Sequence, residues 1–170
     1  MRHGRWAILC VWFALQGCGY HLASQKYAGG TGKTISIPTF TNLTTNYRIE
    51  QRITEAVRRE FIERTRFKVT PQPDGDLVVT GIVRAFAASP IFFDERGRAS
   101  AYNIGVDLGV VIKDAKTGAV VLENEHWGFN EPFELARVSE DFVPEDSAAM
   151  ERLARRFASA VVASLLQTNP

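Results

Sequence analysis

Apolar side chains recur along the chain at spacings that predict a succession of strands and helices. Residues 35–40 alternate between apolar and polar side chains, which is typical of a short strand with one buried face. A four-residue apolar spacing follows and predicts an amphipathic helix with Asn46 as its N-cap. The buried stripe of this helix is predicted to be Ile49, Ile53, Val57 and Phe61.

A brief strand at residues 67–69 precedes two segments with the clearest alternation in the chain. The second of these segments extends from Tyr102 to Ile112, with an apolar residue at every second position. Both segments are longer than a typical strand. The first segment is predicted to place on one face Leu77, Val79, Gly81, Val83 and Ala85.

A third long strand is predicted at about residues 120–133, after a hairpin connection. Its pattern leaves two orientations open. Val120 and Leu122 occupy one side of the strand, whereas Trp127 and Phe129 occupy the other. The sequence therefore predicts the strand but not the face that it buries.

A turn is predicted at residues 89–98, between the first two long strands. It contains the aromatic residues Phe92 and Phe93 and the basic residues Arg96 and Arg98. Such a combination suits a surface that packs against a partner and meets phosphate groups, because arginine binds phosphate through a bidentate fork. Exposed loop arginines without a ligand are the alternative interpretation.

The last predicted helix begins with residues 144–146 and has an apolar stripe that includes Leu153 and Phe157. With the preceding elements it predicts an α+β fold. In this fold, a two-layer sandwich, a mostly antiparallel sheet of about four long strands carries two amphipathic helices on one face. The other face of the sheet must then meet solvent or a partner.

The N-terminal segment has the pattern of a bacterial lipoprotein leader. Arg2 and Arg5 precede an apolar run at residues 6–15, which is too short to remain as a membrane-spanning helix. Leu15, Gly17 and Cys18 match a lipoprotein box, and Gln16 departs from it because that position is normally smaller. We therefore predict a cleaved signal peptide at residues 1–17 and a lipid-modified Cys18.

The remaining residues, 18–170, are predicted to form a single domain with a short tether at 18–34. Cys10 lies in the leader, so Cys18 is the only thiol left and no disulfide is expected. Gly19 follows the cysteine where an aspartate would retain many lipoproteins in the inner membrane. This predicts a protein attached to the outer membrane by its lipid and located on the periplasmic side.

Charge and motifs argue against several other functions. Removing Arg2 and Arg5 brings the formal net charge of +1 to about −1, which gives no basic field for nucleic acid. Gly32-Lys33-Thr34 matches only the end of a phosphate-binding loop, without its first glycine or a preceding strand. No nucleophilic triad or metal-ligand spacing accompanies His21 or His126, so we expect neither an enzyme nor a metal site, and no cofactor besides the lipid.

Several motifs together resemble the LptE family of lipopolysaccharide-assembly lipoproteins. The resemblance extends from the leader cysteine to the last helix, and no single motif decides it. The matching residues are Cys18-Gly19-Tyr20-His21-Leu22, Ile35-Ser36-Ile37-Pro38-Thr39-Phe40-Thr41-Asn42-Leu43-Thr44, Ile49-Glu50, Phe61 with Thr65, Ala101-Tyr102, and Glu151 with Leu153-Ala154.

This resemblance implies a two-layer lipoprotein that forms a plug inside the LptD β-barrel and assists the delivery of lipopolysaccharide to the outer leaflet. Basic residues of the family then meet the anionic lipid. Arg137 corresponds best to such a position here. The turn before Ala101-Tyr102 holds Arg96 and Arg98 as further candidates, but its most directly corresponding position is Glu95. Phe92 and Phe93 are candidate contacts to the barrel.

A second class of lipoprotein stays open as an alternative. Activators of penicillin-binding proteins and curli-secretion lipoproteins also have a strand that ends in Phe-x-Asn-x-Thr, followed by a helix. Phe40, Asn42 and Thr44 fit that pattern. An activator normally carries its domain on a long tether, whereas here the first strand begins soon after Cys18. The short tether favours a partner in the membrane.

Overall fold

The computed structural model describes residues 30–134 and 148–168. These residues form six strands and two helices, and three short strands precede three long ones. In chain order the elements are β1 Thr34–Ser36, β2 Thr41–Asn42, α1 Ile49–Arg64, β3 Lys68–Thr70, β4 Leu77–Phe93, β5 Ala99–Asp114, β6 Val120–Glu134 and α2 Ala148–Gln167.

One mixed sheet contains all the strands, in the order β3-β1-β4-β5-β6, with β2 also beside β4. The long strands β4, β5 and β6 are antiparallel, whereas the short strands pair in parallel with their neighbours. The predicted α+β two-layer class is confirmed. The sheet has six strands, of which three are long, so the count differs slightly from the predicted four or so long strands.

Both helices pack on the same face of the sheet and on each other. The predicted stripe of α1 is confirmed, since Ile53, Val57 and Phe61 have no exposed surface. In α2, Phe157 is fully buried and its ring centre lies 5.6 Å from that of Phe129. Burial of these apolar side chains is the main driving force for joining the two layers.

The start of α1 differs from the prediction. Its N-cap is Arg48, in the left-handed region with a φ of 59°, and not Asn46. The Asn46 carbonyl instead accepts a hydrogen bond of 2.8 Å from the Asn42 side chain, whose amide also donates to Glu50. Asn42 therefore fixes the chain between β2 and the helix.

A bulge in β4 changes the face that its distal half presents. Val83 lies opposite Leu108 and Ala85 lies opposite Asp107, so Arg84 is an additional residue in β4. Ala85 therefore turns away from the helices, contrary to the predicted stripe. Phe86 takes the position on the helix side, where it packs against the core.

A second bulge settles the orientation of β6. Leu122 lies opposite Ile112, and Trp127 lies opposite Leu108. Both of these β5 residues belong to the buried core. β6 has one additional residue between Asn124 and Trp127. The strand therefore turns the same face to the helices before and after the bulge, and Leu122 and Trp127 both point towards the helices.

Candidate functional site

The β4–β5 hairpin ends in a tight turn at residues 94–98. The Asp94 N–H donates to the Arg98 carbonyl over 2.8 Å, and the Gly97 N–H donates to the Asp94 carbonyl over 2.9 Å. Gly97 has a φ of 73°, a conformation that favours glycine. The strand β4 continues through Phe93, so the predicted turn at 89–98 was too long, and Phe92 and Phe93 lie at the end of a strand.

Asp94 organises this turn through its carboxylate. The carboxylate accepts hydrogen bonds from the backbone N–H groups of Arg96 and Arg98, over 2.8 and 2.9 Å. The Arg98 guanidinium also donates to it over 3.0 Å. The Arg98 backbone N–H is the largest cause that lowers the pKa of Asp94, and the Arg98 guanidinium adds to it. Arg98 is thus partly engaged within the turn.

Arg96 differs from Arg98 in this respect. Its side chain is exposed, and its guanidinium has no hydrogen-bond or ion-pair partner among the described residues. The backbone of Arg96 is held by Asp94, so a fixed turn presents an unengaged guanidinium. Such a group is available for a phosphate or carboxylate of a ligand.

Large apolar side chains lie directly beside this turn. Phe92 is 65% exposed, Phe93 62% and Ile91 43%. The structure thus brings Phe92, Phe93, Arg96 and Arg98 to the same end of the hairpin. We call these four residues with Ile91 the hairpin tip. Contiguous exposed apolar groups of this kind mark interaction surfaces.

A polar cluster on the open face of the sheet had no signal in the sequence. The Arg84 guanidinium donates to the Glu125 carbonyl over 2.8 Å, and His126 lies 2.8 Å from the Asp107 carboxylate. The two bulges place these side chains around Gly109, where a Cβ would come within 3.2 Å of the Arg84 Nε. The His126 side chain is 69% exposed, so this histidine is a surface residue of β6 with the Asp107 carboxylate as its partner.

A buried carboxylate joins α2 to β6. Glu131 is 9% exposed and accepts hydrogen bonds from Arg152 and Arg156. The bond from Arg152 is the largest cause that lowers the pKa of Glu131. Arg156 also donates to the Asn130 carbonyl over 2.9 Å. These arginines therefore have a structural function, because they hold the helix against the last strand.

Two further features of the described chain carry weak signals. A groove of about 230 Å³ between the helices is lined by charged residues of both signs, so its field favours neither anions nor cations.

Thr34 begins a strand where a phosphate-binding loop would begin a helix, and its N–H donates to Asp76. The local structure at Thr34 is therefore not that of a phosphate-binding loop.

Some predicted residues lie outside the described part of the chain. These are Cys18 with most of the tether, and Arg137 in the segment between β6 and α2. Within residues 30–134 and 148–168, no helix has the length and apolar character needed to cross a membrane. The same residues contain no group of three or more histidine, cysteine or acidic side chains suited to a metal ion.

Solved structures share this fold at low sequence identity. Protein XCC0632 from Xanthomonas campestris has a TM-score of 0.57 and 13% identity, with 84% of this chain and 88% of that chain covered. Lipoprotein B from Nitrosomonas europaea has a TM-score of 0.53 and 13% identity, covering 89% and 90%. A point variant of the PelC dodecamer from Paraburkholderia phytofirmans has a TM-score of 0.51 and 16% identity, covering 82% and 90%. No curated protein sequence matches the chain.

The sheet and the two helices define a small α+β protein with the two-layer fold of these solved structures. The model of the LptE family, described as lipopolysaccharide-assembly, matches residues 32–165. The chain therefore belongs to the LptE family. The resemblance that the sequence motifs indicated is confirmed over nearly all the described residues.

Proposed function

We propose that this protein is an outer-membrane lipoprotein that binds an LptD-type β-barrel and assists the assembly of lipopolysaccharide in the outer leaflet. Membership of the LptE family supports this function. The observation that carries the proposal further is the hairpin tip, where exposed aromatic side chains adjoin the exposed guanidinium of Arg96. We expect the protein to act by binding, without catalysis and without a cofactor.

The lipid on Cys18 supplies the membrane attachment in this proposal. A single acyl chain anchors a protein only marginally, so the several chains of a bacterial lipoprotein are needed for stable attachment. Between Cys18 and the first described residue, Gly30, the tether is short. The domain consequently stays close to the membrane, on the periplasmic side, where a barrel partner is within reach.

The apolar part of the hairpin tip is the proposed contact to the barrel. Phe92 and Phe93 expose more than half of their surface in the isolated chain. Aromatic side chains are enriched at the centres of protein interfaces, where they supply much of the binding energy. Burial of both rings against the barrel would therefore contribute strongly to the affinity of the complex.

The basic part of the hairpin tip is the proposed contact to lipopolysaccharide. Among the described residues the Arg96 guanidinium has no partner, whereas the Arg98 guanidinium forms an ion pair with Asp94. We therefore expect Arg96 to contribute more than Arg98 to binding of a lipid phosphate. Arg137 is the third proposed contact, by its position in the family pattern.

Binding of purified protein to lipopolysaccharide tests this assignment. Charge reversal in Arg96→Glu should weaken binding at least about tenfold, since hydrogen bonds to charged groups contribute about 1.5–3 kcal/mol. Adding Arg98→Glu and Arg137→Glu should weaken it further. The control is Arg66→Glu, which reverses an exposed arginine away from the tip.

Thermal melts of all variants show whether the fold is intact. Unchanged binding by the triple variant, with an unchanged melt, would mean that these arginines are ordinary solvated charges. The alternative function, a periplasm-facing regulator or secretion component, predicts no lipopolysaccharide binding and a peptidoglycan synthase or secretion protein as the partner.

A further inference from the structure

The distal half of β4 has an edge that no described strand covers, which we call the open edge. On one side, β4 pairs with β5 along its whole length, from Leu77 to Phe93. On its other side, the described strands pair only with residues 77–78 and 82–83, through β1 and β2. From Ala85 to Phe93 that side meets no described strand, and nearly all of these residues are exposed.

Val83 shows the direction in which the backbone groups of β4 point. Its carbonyl accepts the Leu43 N–H over 2.9 Å, so it points away from β5. Along a strand, the N–H and C=O groups of successive residues point to opposite sides. In an antiparallel pair, the N–H and C=O groups of two directly opposite residues point either towards each other or away from each other. Leu108 lies opposite Val83, so the backbone groups of Leu108 point towards β6.

By the same alternation, the backbone groups of every second β5 residue from Leu108 to Tyr102 point towards β6. The β4 partners of these residues include Phe86, Ala88 and Pro90. Their backbone groups therefore point to the open edge. Pro90 has no N–H, and a proline in a strand is tolerated where the missing donor would face outwards. Its position agrees with the direction derived from Val83.

The opposite edge of the sheet is protected, in contrast to this one. Natural proteins protect exposed edges with charged side chains or by covering them. Strand β6 carries Glu123, Glu125 and Glu131, and side chains of α2 donate to the carbonyls of Asn130 and Pro132. The β4 edge has no charged residue between Arg84 and Asp94, and only Pro90 interrupts it. The β4 edge is therefore uncharged and exposed, whereas the β6 edge is protected. An edge of the first kind is suited to strand addition.

We propose that the β4 edge from Ala85 to Ser89 binds an extended, uncharged segment of the barrel partner as an additional β-strand. This inference rests on the proposed function, because it names a contact within the barrel complex. A closed barrel has no free edge of its own. The added strand therefore comes from a loop or a terminal segment of the partner, and main-chain hydrogen bonds supply much of its affinity.

A second copy of this chain fits the edge less well. Antiparallel pairing of two copies about Ala88 would place Phe86 of each copy opposite Pro90 of the other. Each of these two pairs would lack one hydrogen bond, because Pro90 cannot donate. Pairing of two copies about Ala87 would set Phe86 of each copy opposite Ala88 of the other, but the Pro90 carbonyl would then lie opposite the bulged Arg84, outside a regular ladder. A strand from a different chain can pair with Phe86 and Ala88 and also donate to the Pro90 carbonyl.

Amide hydrogen exchange at single-residue resolution tests the inference on the purified complex with the barrel. We expect the edge-facing amides of Phe86 and Ala88 to exchange at least about tenfold more slowly in the complex than in the isolated protein. The amides of Ala87 and Ser89 already face β5 and serve as internal controls. Equal exchange of Phe86 and Ala88 in the complex and in the isolated protein would overturn the inference.

Two substitutions at one position provide the matched comparison. Ala88→Pro removes the edge-facing N–H, whereas Ala88→Val keeps it and favours a strand. We expect the proline variant to bind the barrel at least several-fold more weakly than the valine variant. Equal affinities of two folded variants would contradict strand addition.

The other outcomes separate this inference from the proposed function. A complex that forms without protection of Phe86 and Ala88 leaves the proposed function standing and overturns strand addition alone. Absence of any barrel complex overturns the proposed function. Protection of these amides in the isolated protein at high concentration, together with a dimer in sedimentation, would show that the occupant is a second copy and would overturn the inference.

Discussion

The ring of Phe40 lies so close to Gly81 that a Cβ at Gly81 would come within 2.2 Å of two ring carbons. The backbone of Phe40 is fixed as well, because its N–H donates to the Thr54 hydroxyl over 3.0 Å. The ring fills the space between the sheet and the helices and lies 6.2 Å from the ring of Phe157. A single glycine in β4 therefore permits Phe40, in the segment between β1 and β2, to contact both helices.

Substitution of this glycine gives the first prediction. In Gly81→Ala the new methyl group must displace the Phe40 ring, so we expect the free energy of unfolding to fall by about 1–3 kcal/mol. The measurement is urea denaturation followed by circular dichroism. Gly128→Ala is the matched control, because a Cβ there meets open space. Equal stability of the two variants would show that the Phe40 ring does not occupy this position.

The second prediction concerns the buried carboxylate of Glu131. The Arg152 hydrogen bond lowers the pKa of Glu131 from its ordinary value of 4.5. A carboxyl group with a lowered pKa in the folded state stabilises the protein above the ordinary value, and this contribution is lost as the pH falls through the lowered pKa. Glu131→Gln should therefore lower the unfolding free energy by about 1–3 kcal/mol at neutral pH.

The pH dependence distinguishes this charge effect from a packing effect. The difference in stability between the wild-type protein and Glu131→Gln should shrink as the pH falls below 4.5. Urea denaturation at a series of pH values measures it. Glu123→Gln, at an exposed residue of the same strand, is the control and should change stability little at any pH. A difference for Glu131→Gln that stays constant with pH would contradict the ion-pair explanation.

Helix periodicity predicted the layers of this fold well, because the local spacing of apolar residues determines which helix face is buried. Ile53 and Phe61 in α1, and Leu153 in α2, are buried as the spacing indicates. The facing of β6 could not be predicted in the same way. It depends on a bulge at Glu125 and His126, and a bulge is defined only by pairing with the neighbouring strand.

The candidate site was predictable in part for a similar reason. Phe92, Phe93, Arg96 and Arg98 are close in sequence, so a hairpin necessarily brings them together. The engagement of Arg98 by Asp94 depends on turn geometry, and the ion pair between Arg152 and Glu131 joins residues 21 positions apart. A contact between residues so far apart in the sequence leaves no periodic pattern of side chains from which it could be predicted.

The third prediction tests the core face of the central strand. Leu108 is fully buried in β5 beneath the helices. Leu108→Ala should lower the unfolding free energy by about 2–5 kcal/mol, because the removed side chain leaves a cavity. Leu108→Asp should be more destabilising, since it places an unpaired charge in the core. A loss of only a few tenths of a kcal/mol in urea denaturation would mean that the strand faces the other way.

The fourth prediction concerns the membrane anchor. Intact-mass analysis of the mature protein should show a chain that begins at Cys18 and carries the added mass of acyl groups. Cys18→Ala should remove that mass and block normal processing of the leader. An unmodified thiol in the wild-type mature protein would exclude the proposed lipid anchor.

The central claim is that the hairpin tip binds a barrel partner in the outer membrane, and recovery of that barrel with the purified protein tests it most directly. The tagged protein is extracted from membranes, and the co-purifying proteins are identified and quantified by mass spectrometry. The proposed function predicts an LptD-type barrel in stoichiometric amount with the wild-type protein. The double variant Phe92→Asp, Phe93→Asp should recover at least about tenfold less barrel.

Ile62→Asp is the control for this measurement, because Ile62 is 64% exposed on α1, away from the tip. We expect it to recover as much barrel as the wild-type protein, with thermal melts of all three proteins nearly equal. Recovery of the barrel by the double variant at the wild-type level, or recovery of a peptidoglycan synthase in place of the barrel, would contradict the central claim.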